Sequence, residues 1–197
     1  MTPASSESFD GADLPSFSAT KTEWRRWARA RHAAGAAQGT ESGILAALDA
    51  HLETLDRGVV VLFSALPGEV SVAELAEGGR HRFAITRTPP RGWLTIHAWE
   101  AERERHPYGF SQPVADAPEI PLREIVAVLV PALAFDREGY RLGRGAGYYD
   151  ELFSRMPAHV RRIGVTPSTL IVDELPRDAH DIPMHVLATE NGCSEIR

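Results

Sequence analysis

Two stretches of the chain are apolar at almost every position: VVVLFS over 59–64 and EIVAVLVP over 124–131. A strand with one wet face alternates apolar and polar residues, whereas a strand covered on both faces does not. Both stretches therefore predict strands deep inside a parallel sheet. Other segments carry helical spacing. Thr20-Lys21-Thr22-Glu23 has the arrangement of a capping box and opens a predicted helix to about residue 36, with Trp24, Trp27 and Ala28 as its buried stripe. Ile44, Leu48, Leu52 and Leu55 recur on one face of a predicted helix over 42–56, which Gly58 ends. Pro67-Gly68 marks a turn, and Ser71 with Glu74 predicts a second capping box opening a short helix. HRFAIT (81–86) and WLTIHAW (93–99) predict strands on either side of a Pro-Pro turn, and the charged, Pro-rich residues 100–121 read as a long surface connection. A helix over 147–156, a strand over 161–166 and a weak last strand over 185–189 complete the pattern.

Strand, loop, helix, strand across 124–166 is a parallel βαβ unit. The expected fold is a single three-layer α/β/α domain over 18–197 with a mostly parallel sheet, Rossmann-like, after a disordered tail over 1–17. Ligands of such sheets bind beyond the carboxyl ends of the strands. The loop leaving the 124–131 strand is therefore the first place to look for chemistry.

That loop reads GYRLGRGAGYYDELF over 139–153. It lacks the Gly-Lys-Ser/Thr ending of a Walker A loop, and Tyr148 stands where GxGxxG needs its third glycine. On spacing alone, a tight turn fits as well as a ligand loop. Three details favour a ligand. Arg141 and Arg144 flank glycines whose amides can form an anion-binding nest. The loop runs into a helix start, where unpaired amides favour phosphate. Asp150 follows in the first turn, either as a hard-oxygen ligand for Mg²⁺ beside phosphates or simply as a favourable charge at a helix N-terminus. Tyr148 and Tyr149 fit core aromatics or a wall for a heteroaromatic ligand.

Composition narrows the classes. The 197 residues carry a formal charge of −6, which argues against general nucleic-acid binding and requires any anion to be held by local arginines. The one cysteine, Cys193, fits a reducing compartment. No basic-then-apolar leader pattern opens the chain, and no apolar run reaches the length of a membrane span, so a cytoplasmic location away from membranes is expected. Twenty arginines stand against a single lysine, Lys21, which shares a helix face with Arg25. The two form either a solvated basic face or a phosphate clamp. His180, Asp181 and His185 also suggest a transition-metal set, although no further His/Cys cluster supports it.

The segment VPALAFDREGYRLGRGAGYYDELF (130–153) resembles the signature of the 5-formyltetrahydrofolate cyclo-ligase family, also called 5,10-methenyltetrahydrofolate synthetase. Looser likeness covers most of 20–190: Lys21 and Arg25 as Lys-x-x-x-Arg, Glu69 in LPGEVSVAEL, YGFSQP (108–113) and LPRDAHDIP (175–183). The resemblance implies ATP- and Mg²⁺-dependent closure of 5-formyltetrahydrofolate to 5,10-methenyltetrahydrofolate, with release of ADP and phosphate. It implies that Lys21, Arg25 and the loop Arg141, Leu142, Gly143, Arg144, Gly145, Ala146, Gly147, Tyr148 and Tyr149 hold ATP, with Arg144, Tyr148 and Tyr149 in the catalytic positions. Asp150 and Asp181 would hold Mg²⁺; Ser64, Glu69 and Phe110 would face the folate. The expected partner is this small molecule alone, bound by a monomer. Four departures from the family pattern bear on that expectation: Ala146 stands where some relatives have lysine, and Pro167, Leu170 and His185 replace a frequent Phe, Gln and Asp. They keep two alternatives open: a divergent enzyme of altered substrate, and a non-catalytic nucleotide- or folate-binding module.

Overall fold

A computed structural model describes residues 14–16, 18–78, 80–90 and 92–196. The tail expected over 1–17 lies, apart from 14–16, outside them. Helix α1 (Lys21–Ala33) opens with the predicted capping box: the Thr20 hydroxyl accepts from the Glu23 amide, and the Glu23 carboxylate accepts from the Thr20 amide. It stops three residues earlier than expected because Gly35, at φ +86°, takes the left-handed position that ends a helix. Helix α2 (Glu41–Leu52) follows, then strand β1 (Val59–Leu62).

The Ser71 capping box does not form. A 3-10 turn (Ala73–Glu77) begins there instead, and the Ser71 amide donates to Glu41 of α2. A side chain thirty residues away thus takes the contact assigned to a local partner. Strands β2 (Arg82–Arg87) and β3 (Thr95–Ala98) pair antiparallel. The expected surface connection over 100–121 contains a small hairpin, β4 (Arg103–Arg105) with β5 (Ser111–Pro113). Strand β6 (Ile125–Pro131) leads into the short strands β7 (Ala134–Asp136) and β8 (Arg141–Leu142), then helix α3 (Tyr148–Arg155) and β9 (Arg161–Val165). Strands β10 (Ile171–Val172), β11 (Val186–Thr189) and β12 (Gly192–Glu195) close the chain; β12 was not anticipated.

The main sheet runs β12-β11-β9-β6-β1-β2-β3, with five parallel strands at its centre and one antiparallel strand at each edge. Alternate side chains of a strand point to opposite faces. Val60 and Leu62 meet Ile44, Leu48 and Leu52 of α2, whereas Val59 and Val61 face the side of Leu152 and Phe153 of α3. Fully burying each such residue contributes about 1.5–3 kcal/mol, so the unbroken apolar runs follow from the two covered faces. Helix α1 instead packs Trp24 and Ala28 on the small β10-β7-β8 sheet, against Leu133, Ala134 and Leu142. The chain leaves β1 for β2 on one side and for β6, β9 and β11 on the other. Strand order therefore reverses between β1 and β6, which opens a crevice at their carboxyl ends.

Candidate active site

A cavity of about 210 Å³ lies at that crevice. Phe63 and Ser64 follow β1, Thr86 and Thr88 sit at the end of β2, and Pro131 and Ala132 sit at the end of β6. The glycine loop supplies the opposite wall. Twelve of the expected site residues line the cavity: Ser64, Glu69, Phe110, Arg141, Gly143, Arg144, Gly145, Ala146, Gly147, Tyr148, Tyr149 and Asp150. Its volume is below the roughly 300–1,000 Å³ of a site that encloses a whole drug-sized ligand. It suits one ring system, with any further ligand lying out along the loop.

The loop is shaped for close approach. Gly145 (φ +108°) and Gly147 (φ +70°) occupy left-handed conformations that side-chain-bearing residues rarely adopt. Gly147 precedes α3 with no side-chain cap, so the first-turn amides are left for an incoming acceptor. From α1, the Arg25 Nε donates to the Gly143 carbonyl at 2.9 Å and so holds the loop from behind.

Arg144 reaches across the cavity to Glu69, with Nη2 and Nε at 2.6 and 3.2 Å from Oε1. The other Glu69 oxygen accepts from the Leu66 amide at 2.9 Å. Two residues expected to serve different ligands therefore hold each other. Arg141 pairs with Asp150 at 2.6 Å, and Asp150 also accepts from the Ile182 amide at 3.2 Å. The Tyr149 hydroxyl is enclosed: burial above all, then the charge of Glu69, pushes its phenol above the usual range against a hydrogen bond with Thr86 and the pull of Arg141. It stays protonated at neutral pH, ready to donate.

Four expected residues do not line the cavity. Leu142 is a core residue, because strand alternation turns its side chain away from the side of Arg141 and into the cluster under α1. Its expected contact with ATP is not made by that side chain. Arg25 acts on the loop as described. The Lys21 ammonium lies 2.6 Å from Asp181 and 2.7 Å from Asp178. Burial lowers its pKa, but the hydrogen bonds and charges of the two aspartates outweigh that and leave it raised. Asp181 also accepts from the Asp178 amide, which closes a tight turn.

Among the described residues, the His/Cys/carboxylate group close enough to share an ion is Asp178, His180 and Asp181. It excludes both Asp150 and His185, so the His180-Asp181-His185 set is corrected. After Pro183 the chain enters β11, and His185 exchanges bonds with the Arg162 backbone near the amino end of the strands, away from the cavity. Burial first, then Arg162 and Arg161, pushes the His185 imidazole down to about 4, although Glu195 opposes. Its folded value lies below the ordinary 6.5, so its stabilising effect is full above about pH 6.5 and is lost as the pH falls toward 4. Thermal unfolding followed between pH 7 and 4.5 should show a falling midpoint, and His185→Gln should flatten that fall. Leu170 is buried, and neither it nor Pro167 lines the cavity. Of the four departures from the family pattern, only Ala146 does.

Among the lining residues that sequence reasoning missed are Thr86, Thr88, Leu94 and Tyr108, and it also missed Asp178 beside Lys21. Tyr108 and Asp178 stood in segments quoted for the family likeness; Thr86, Thr88 and Leu94 are ordinary strand-end residues with no local mark of a ligand site.

The 5-formyltetrahydrofolate cyclo-ligase family model matches residues 85–190. A 5-formyltetrahydrofolate cyclo-ligase of Mycolicibacterium smegmatis is 32% identical over 169 residues, covering 81% of this chain and 73% of the relative. The Escherichia coli enzyme of the same name is 30% identical over 77 residues, 39% of this chain and 42% of its own length. The solution structure of Aquifex aeolicus 5,10-methenyltetrahydrofolate synthetase superposes with a TM-score of 0.73 at 25% identity, covering 90% of this chain and 93% of that one. The Mycoplasma pneumoniae 5,10-methenyltetrahydrofolate synthetase shares the fold, with a TM-score of 0.68 at 18% identity over 87% and 99% of the two chains. A signature loop at the carboxyl ends of the sheet and a relative matched along most of both chains agree: this chain belongs to the 5-formyltetrahydrofolate cyclo-ligase family.

Proposed function

We propose that the protein converts 5-formyltetrahydrofolate to 5,10-methenyltetrahydrofolate with ATP and Mg²⁺, releasing ADP and phosphate. The observation that carries this reading is the two-sided cavity, with a basic glycine loop and open helix amides on one wall and the Glu69 carboxylate on the other. The loop suits a triphosphate. A fixed carboxylate suits the N–H donors of a pterin.

A formyl oxygen is a weak nucleophile, so the protein's task is alignment and charge neutralisation. The oxygen attacks the γ-phosphorus and ADP leaves. N10 of the folate then attacks the activated carbon and loses its proton, and phosphate departs as the ring closes. Arg144 and the loop amides neutralise charge on the transferred group. Tyr148 and Tyr149 line the boundary between the ligands, where the protonated Tyr149 hydroxyl can donate. Ser64 and Phe110 wall the folate side; Lys21 meets the phosphates from α1, and Arg25 holds the loop that binds them.

The donor set fits Mg²⁺, which takes one or two carboxylates together with phosphate oxygens and water. Asp150 lines the cavity beside the loop, and Asp181 lies one residue from the amide that Asp150 accepts. Asp150 and Asp181 would hold the ion, whose positive charge would offset that of the phosphates.

The single cysteine fits a reducing compartment such as the cytoplasm, and the acidic net charge argues against nucleic-acid binding. Among the described residues, no helix is long and apolar enough to cross a membrane. Incubation with 5-formyltetrahydrofolate, ATP and Mg²⁺ should give methenyl-folate absorbance and equimolar ADP. Intact ligand binding without product would overturn the catalytic reading in favour of a binding module.

A further inference from the structure

Asp136, at the end of β7, is a fully buried carboxylate that touches neither the cavity nor any residue assigned above to a ligand. Its Oδ1 accepts from the amides of Glu138 and Tyr140 at 3.0 and 2.9 Å. Its Oδ2 accepts from the Leu175 amide at 3.3 Å and from Arg177 Nη2 at 3.0 Å. The same guanidinium bonds Glu138 at 2.7 Å and lies 4.1 Å over the Tyr140 ring. One oxygen thus shapes the turn that feeds Arg141 and the glycine loop. The other fastens the segment that continues directly into Asp178 and Asp181, the partners of Lys21. That segment returns to the loop at Ile182, whose carbonyl accepts from Arg141 and whose amide donates to Asp150.

We propose that Asp136 and Arg177 are positioning residues for the nucleotide half of the reaction, holding the 175–182 segment in register with the glycine loop. The inference rests on the ATP reading of that loop. A turn alone would not need a carboxylate. An asparagine could accept both turn amides through its one oxygen, in the manner of an Asx turn. A second acceptor oxygen is needed only for Leu175 and Arg177. An asparagine would face both with an N–H₂ group, donor against donor.

Asp136→Asn therefore separates the two duties. Steady-state kinetics well below the unfolding midpoint should show the KM for ATP raised about tenfold and the KM for the folate changed less than twofold. Arg177→Ala should give the same split, Arg177→Lys should restore part of it, and the Asp136→Asn/Arg177→Ala double variant should be no worse than the worse single one. A lowered unfolding midpoint with both KM values unchanged, or both changed equally, would overturn the proposal and leave Asp136 a structural residue. Should Asp136→Asn not fold, the two Arg177 variants decide the matter, because that side chain is partly exposed. Lys21→Ala serves as the control on the underlying reading: if it leaves the KM for ATP unchanged, the nucleotide assignment itself fails, independently of Asp136.

Discussion

Glu69→Gln is expected to lower kcat/KM for the folate by about 10- to 100-fold and, without folate present, to tighten nucleotide binding by about threefold. The first effect follows from charge. The Glu69 side chain is only 6% exposed, and a hydrogen bond to an ionised group contributes about 1.5–3 kcal/mol. Glutamine offers one acceptor oxygen where the carboxylate offers two. The second effect follows from the contact with Arg144. Arg144 lies 2.6 Å from Glu69, so a phosphate that took it as a partner would have to draw it away. Arg144 is itself 42% exposed, so solvent screens the pair and the gain on release is modest. Titration calorimetry with Mg-nucleotide alone and with folate alone reads the two effects separately. An unchanged nucleotide affinity would show that Glu69 and phosphate do not compete for Arg144.

Arg141→Ala is expected to damage stability and turnover together. The Arg141 and Asp150 side chains are 7% and 15% exposed, so the variant leaves a largely buried carboxylate without its cation. Such a loss costs about 3 kcal/mol, which in a chain of this size is a fall of about 6–12 °C in Tm. Replacing both partners removes the stranded charge. Arg141→Met with Asp150→Leu should regain most of the lost Tm while turnover stays absent, as calorimetry and the methenyl-folate assay would read. Recovery of activity with the apolar pair would remove both residues from the ligand site.

What could be read beforehand was whatever the chain encodes locally. VVVLFS and EIVAVLVP declared doubly covered strands, Thr20 with Glu23 declared a helix start, and the glycine loop declared the helix that begins at Tyr148. What could not be read depends on partners far along the chain. Nothing in WLTIHAW says that β3 runs antiparallel to β2, and the charges of 103–105 hid a strand because edge hairpins tolerate them. Glu41 takes the contact with the Ser71 amide expected of Glu74, and Arg144 finds Glu69 from 75 residues away. The doubt attached to His185 came from counting residues after Asp181. Pro183 and the entry into β11 carry it out of the site, which no count could reveal. Asp136 stood inside the quoted signature, but its two-sided duty appears only once residues 175–177 fold back on it.

The clasp of Lys21 on Asp178 and Asp181 joins positions 157 and 160 residues apart. On a ribosome, α1 emerges well before the 175–182 turn. The cation thus waits for its carboxylates, and α1 can meet the turn only after the sheet strands between them have been made. Closing so long a loop is slow relative to local helix formation. Until then the nascent chain would carry the basic face of α1 without the two carboxylates that clasp Lys21.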